Sequence, residues 1–100
     1  MAGMTNALVT VATSGTEIQF VSTDTPIKSI LIDATAANSG NVFIGANGVT
    51  TANAPPLKPG EQMSIVFMNG TEGETPGMLS DLYVDAAVNG ETITYLAVTV

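Results

Sequence analysis

The chain contains no cysteine, histidine, arginine or tryptophan. Without cysteine there is no disulfide, thiolate nucleophile or thiolate metal site. Without histidine or arginine as well, the usual nucleophile–base pairs cannot be assembled. Lysine is almost missing too. Only Lys28 and Lys58 stand against nine carboxylates, for a net charge of −7. Nucleic-acid affinity comes from Lys and Arg neutralising phosphates, so nucleic acid is not expected as a partner. Contact with anionic membranes is disfavoured for the same reason. No apolar run approaches the length needed to span a bilayer. A basic protein surface suits the charge, although acidity mainly predicts solubility. The opening Met1-Ala2-Gly3-Met4-Thr5 shows neither a basic segment nor a long apolar run, so no signal peptide is expected. The chain reads as an intracellular product, used inside the cell or released by lysis.

What is present points to β structure. One hundred residues make one domain. A chain of this size buries roughly 60–65% of its unfolded surface. The apolar fraction is 45%, but twelve of those residues are alanine, so the core has little margin. An oligomer would bury more. Valine and threonine are abundant, and Asn-Gly, Ser-Gly and Pro-Gly pairs recur, the pattern of short strands in a sandwich or barrel.

Residues 7–13 read as a strand, with Val9 and Val11 on one face and Leu8 on the other. Ser14-Gly15 suits a hairpin turn into residues 16–21, with Ile18 and Phe20 inward. Residues 27–33 break the alternation, because Ile30, Leu31 and Ile32 are consecutive. Val42, Phe43 and Ile44 do the same. Such strands are covered on both faces, here by a second subunit, or they are central strands with one exposed aliphatic residue. Lys58-Pro59-Gly60-Glu61 suits a type II turn. It leads to a strand with Met63, Ile65 and Phe67 on one face and Gln62, Ser64 and Val66 on the other. Residues 80–87 read as a strand, with a helix over 81–88 as the alternative. Val88-Asn89-Gly90-Glu91 suits a type I′ hairpin. The last strand, 91–100, places Ile93, Tyr95 and Ala97 opposite Leu96, Val98 and Val100. The long loops 46–56 and 68–79 are either functional or mobile.

The carboxylates offer little chemistry. Asp24-Thr25-Pro26 has proline where the aspartic-protease motif needs glycine, and it occurs once. Asp81 and Asp85 share strand parity but lie about 13 Å apart, too far for a shared proton. They read as a solvated strand face. Glu72 and Glu74 lie in a loop with oxygen ligands suited to Ca²⁺, but no EF-hand spacing is present. No cofactor is expected. Tyr83 is either a platform for a sugar or an ordinary cross-strand contact. Met63, Met68 and Met78 fill core gaps or line an assembly surface.

Ser39-Gly40-Asn41-Val42-Phe43-Ile44-Gly45, Gly48-Val49-Thr50 and Pro56-Leu57-Lys58-Pro59-Gly60-Glu61 form an ordered series. Asp81-Leu82-Tyr83-Val84-Asp85-Ala86 and Ile93-Thr94-Tyr95-Leu96 extend it. The series resembles small virion proteins of tailed bacteriophages, over residues 27–98. The Leu-x-Pro-Gly-Glu element alone also occurs in cupin-like folds, whose metal chemistry needs histidines absent here. The resemblance implies a capsid decoration (cement) protein, or a fibre or tail component, located in the virion. It further implies a homotrimer on the capsid lattice, with the major capsid protein or another virion protein as partner. It carries no site residues across.

The expectation is therefore an all-β chain, a single small β-sandwich or jelly-roll-like domain of about seven to eight antiparallel strands. Residues 1–6 form a flexible arm and 7–100 the sandwich. Candidate assembly contacts are Met1, Met4, Ile30, Leu31, Phe43, Val49, Thr51 and Asn53. A recognition module using loops 46–56 and 68–79 is the alternative.

Overall fold

The computed structural model describes residues 3–70 and 72–100. Among these, the strands are β1 (Met4–Val11), β2 (Ile18–Gln19), β3 (Pro26–Ala34), β4 (Val42–Gly45), β5 (Pro56–Leu57), β6 (Gln62–Val66), β7 (Gly77–Met78), β8 (Tyr83–Ala86) and β9 (Glu91–Thr99). The nine strands exceed the expected count because β2, β5 and β7 are two-residue pieces. One 3-10 turn, Leu79–Asp81, precedes β8. It occupies the start of the expected strand 80–87, and Tyr83–Ala86 is strand rather than helix.

Two antiparallel sheets make up the fold. The larger has the order β1-β9-β3-β6, and β7 also pairs with β3. Ile27 pairs with Thr99 of β9 on one side and Gly77 of β7 on the other, so β7 continues the β6 edge. The smaller sheet has the order β2-β8-β4-β5. Their inner faces close on one core. The larger sheet contributes Val9, Val11, Ile30, Ile32, Ile93, Tyr95 and Ala97, and the smaller Val42, Ile44, Leu57, Val84 and Ala86. Burying one such aliphatic side chain is worth about 1.5–3 kcal/mol. Phe20 stacks on Tyr95 at 5.4 Å between ring centroids.

Alternation places the inner and outer residues of β1, β6 and β9 as expected. Met63, Ile65 and Phe67 pack against the core, while Gln62, Ser64 and Val66 are exposed. In β3 the run Ile30-Leu31-Ile32 does alternate, with Leu31 as the one exposed aliphatic residue, and the irregularity lies just before it. The register shifts between Ile27 and Ser29, a bulge that turns both Ile27 and Ile30 inward although they are three residues apart. After the bulge, alternation resumes with Ile32 buried and Leu31 outward.

The Pro59-Gly60 turn forms as expected. Glu61 N–H donates to the Lys58 carbonyl at 2.9 Å, and Gly60 takes φ +83°. A side chain in that region would be strained. This turn carries the chain from β5 in the smaller sheet to β6 in the larger.

Both expected hairpins are crossings between sheets instead. β1 pairs with β9 and β2 with β8, so Ser14-Gly15 joins the two sheets. Gly90 has positive φ but Asn89 does not, which excludes a type I′ turn there. Its neighbours β8 and β9 belong to different sheets. β1 also begins at Met4 rather than Ala7, so Met4, Thr5 and Asn6 pair with Val98, Ala97 and Leu96.

Candidate functional site

The register of the larger sheet fixes which side chains share its outer face. One row across the sheet reads Met4, Val98, Ser29 and Val66. The next reads Asn6, Leu96, Leu31 and Ser64, and the third Leu8, Thr94, Asp33 and Gln62. Met4, Leu8, Leu31, Val66 and Leu96 are all exposed. Leu31 and Leu96 are direct cross-strand neighbours at the centre of this apolar patch. A shallow depression beside them is lined by Asn6, Asp33, Gln62 and Thr94. The strands of this sheet carry only two carboxylates, Asp33 and Glu91. Glu91 points inward and is buried. Lys28, at the β3 bulge, is the one basic residue of this sheet, so Asp33 and Lys28 are the only charges its strands carry outside the core, on a chain of net charge −7.

The expected assembly contacts divide sharply. Leu31 and Met4 lie on this outer face, at 39% and 72% exposure. Ile30 is 2% exposed and belongs to the core, so it has no surface to offer a partner. Phe43 is buried beside its cross-strand neighbours Asp85 and Pro56. Val49 is buried as well. A Cβ added at Gly45 would meet the Val49 side chain at 2.9 Å, so the loop closes tightly onto β4 there. Thr51 and Asn53 stand at the exposed end of the loop. The Asn53 amide organises that loop, accepting from Thr50 N–H at 2.8 Å and donating to the Gly48 carbonyl at 3.1 Å. Met1 lies outside the described residues. Sequence reasoning placed Leu8 and Leu96 on the correct faces without nominating them. The signal was their parity in β1 and β9. What was missing was that these two strands are neighbours.

The polar residues build ties between connections and strands. Asp85 is 1% exposed, which overturns the solvated face expected for it. Its Oδ1 accepts from Gly15 N–H at 2.9 Å and from Ala86 N–H at 2.8 Å. Asp81 remains exposed, in the 3-10 turn and off the strand, so the two share no strand face. Glu91 accepts from Gly40 N–H at 2.8 Å and from the backbone and hydroxyl of Ser39. Asn38 exchanges two hydrogen bonds with the Thr92 backbone, as a strand residue would. Burial raises the Tyr95 hydroxyl above its ordinary pKa.

An open hollow of about 410 Å³ lies by the smaller sheet, lined by Gln19, Asp24, Asn47, Ser80, Asp81 and Tyr83. Within it, Gln19 donates to the Ser80 carbonyl and the Ser80 hydroxyl to Asp24. In the second long loop, the Glu74 carboxylate accepts from Asn69 N–H. Among the described residues, no cluster of three or more His, Cys, Asp or Glu is placed to hold a metal. Met63 packs against the core, and Met68 and Met78 are half-buried.

No protein-family model matches the chain. No curated protein matches it by sequence. Solved structures do share its shape. The SPBc2 prophage-derived protein YomS is 12% identical, with a TM-score of 0.49 over 98% of this chain and 95% of that one. A part of the IMPa metallopeptidase, solved with T-antigen, aligns at 14% identity and a TM-score of 0.51. That match covers 97% of this chain but 12% of the peptidase chain. The coat protein of Tobacco streak virus aligns at 13% identity and a TM-score of 0.44, over 94% of this chain and 83% of that one. The likeness to the peptidase segment, at 14% identity, is one of fold alone.

Proposed function

We propose that the protein is a non-enzymatic structural component of a phage virion, a capsid decoration protein that binds and stabilises the head lattice as an oligomer. The observation that carries this reading is the outer face of the larger sheet. Leu31 and Leu96 at its centre, with Met4, Leu8 and Val66 around them, form an exposed apolar patch with almost no charge. Contiguous apolar surface of this kind marks contact with another protein. The residue series from Ser39 to Glu61 supports the virion setting by its resemblance to small phage virion proteins. The partner is the major capsid protein or another virion protein. The resemblance implies three copies around a lattice junction.

The test is cosedimentation of the purified protein with expanded heads, together with its location in virion images. Binding in hundreds of copies per particle is the expected result. Leu31→Glu with Leu96→Glu should abolish binding while the sandwich still folds, because both side chains already face water. Deleting residues 51–54 should leave folding intact, and lost binding would give the loop a share of the contact. Absence from heads, with a few copies in the tail, would move the protein to a tail or fibre role.

A recognition module is the second reading, favoured by the polar hollow with Tyr83 on its wall. Tyrosine beside amide and carboxylate groups suits a sugar ring. A glycan array without hits, and adsorption unchanged in Tyr83→Ala, would remove it.

A further inference from the structure

Among the described residues, the larger sheet ends in β1, a strand paired on one side only. β1 runs eight residues at the edge, longer than β6 at the opposite edge and than the two-residue edges of the smaller sheet. Thr99 N–H donates to the Gly3 carbonyl, which fixes the hydrogen-bonding phase of the β1–β9 ladder. In that phase Thr5, Ala7, Val9 and Val11 turn their backbone groups to β9. Met4, Asn6, Leu8 and Thr10 turn theirs away, to the open edge. The same four residues place their side chains on the outer face, and all four are exposed.

Exposed edges are normally blocked by charge, proline, a bulge or brevity. β1, Met-Thr-Asn-Ala-Leu-Val-Thr-Val, has no charge and no proline, and its register to β9 is unbroken from Met4 to Val11. We infer that β1 is a self-pairing edge: two copies of this chain join β1 to β1 in antiparallel fashion, fusing their larger sheets across a two-fold axis. A second copy fits better than another occupant. An antiparallel two-fold makes one strand its own complement, so the same row of donors and acceptors serves both sides. The charge distribution permits it. Two chains of net charge −7 repel, but neither β1 strand carries a charge, and the equally uncharged β6 edge offers only five residues against eight. Pairing there also carries the apolar patch across the axis, because Met4 and Leu8 stand on the same face as Leu31 and Leu96.

This inference does not rest on the virion reading, since it concerns the purified protein alone. It also differs from the three-fold arrangement that the resemblance implies. Sedimentation equilibrium of the full chain should give a dimer that dissociates on dilution. Asn6→Pro removes an N–H that faces the open edge, which the single subunit leaves unused. It should give a folded monomer. The matching change on the other edge, Ser64→Pro, also removes an outward N–H and should leave the dimer intact. Leu8→Lys should dissociate it by placing like charges at the junction. If Asn6→Pro fails to fold, amide exchange on the unaltered protein decides. The Met4, Asn6, Leu8 and Thr10 amides should be protected at dimer concentrations and exchange rapidly on dilution. A monomer at all concentrations, a trimer, a dimer unaffected by Leu8→Lys, or rapid exchange of these amides at high concentration would overturn the inference. Head binding by such a monomer or trimer would leave the decoration role standing.

Discussion

Replacing Asp85 by alanine tests whether a buried carboxylate holds the connection between the two sheets. Its Oδ1 accepts from Ala86 N–H, at the C-terminal end of β8, and from Gly15 N–H, in the connection leaving β1. Alanine removes both acceptors. Leaving a buried donor without a partner costs about 1–3 kcal/mol, and Ala86 is fully buried. Gly15 is exposed, so its N–H recovers part of its loss from solvent. Removing a buried charge also relieves some desolvation. The net expectation is a loss of about 2–4 kcal/mol. For a domain of this size that lowers the melting temperature by roughly 10–25 °C. Asp85→Asn keeps Oδ1 and loses only the charge assistance, which is worth about 1 kcal/mol. Asp81→Asn, at an exposed position in the 3-10 turn, is the control and should melt as the parent does. Urea unfolding followed by far-UV circular dichroism measures all three. If Asp85→Ala unfolds at the same urea concentration as Asp81→Asn, the carboxylate is not a structural tie and the reasoning fails.

Other expectations concern packing, alkaline pH and fastening of a loop. A Cβ added at Gly77 would sit 2.5 Å from the Phe67 ring, so Gly77→Ala must displace that ring or the β7–β3 pairing. A loss of about 1–3 kcal/mol is expected, read as a lower urea midpoint, and Phe67→Leu in the same chain should recover part of it. Tyr95 has its pKa raised by burial. Above about pH 10 the unfolded chain therefore releases this proton before the folded one does. Stability should be level below that pH and fall above it, and Tyr95→Phe should flatten the fall seen in melts from pH 8 to 11. Glu91→Ala removes the acceptor of Ser39 and Gly40 and should cost about 2–3 kcal/mol. Hydrogen exchange should locate the loosening in the loop between β3 and β4.

Periodicity was legible wherever one face of a strand is wet. β1, β6 and β9 alternate cleanly, so their inner and outer residues could be assigned without a structure. The bulge in β3 was not legible, because one extra residue leaves no mark in composition. Ile30 was nominated for another reason: three consecutive aliphatic residues do not show which of them faces water, and it is Leu31. Phe43 misled for a related reason: it faces away from the main core yet is buried beside Asp85. Turn residues announced turns but not destinations. Ser14-Gly15 and Asn89-Gly90 have hairpin chemistry, and both carry the chain from one sheet to the other. For the same reason Leu8 and Leu96 could be assigned to a face but not joined into one patch. That needs the β1–β9 pairing, which spans almost the whole chain. Asp85 looked solvated by parity, and only the position of Gly15 shows what it binds.

The pairing of β1 with β9 also sets an order for biogenesis. Val9 finds its ladder partner, Ile93, more than eighty residues later. During synthesis the uncharged first strand waits beside the ribosome with no sheet to enter. β3 and β6 can pair early, but β9 must arrive to sit between β1 and β3. The larger sheet is therefore complete only once β9 is in place. Until then the chain displays an unpaired apolar strand, the hazard that chaperones relieve.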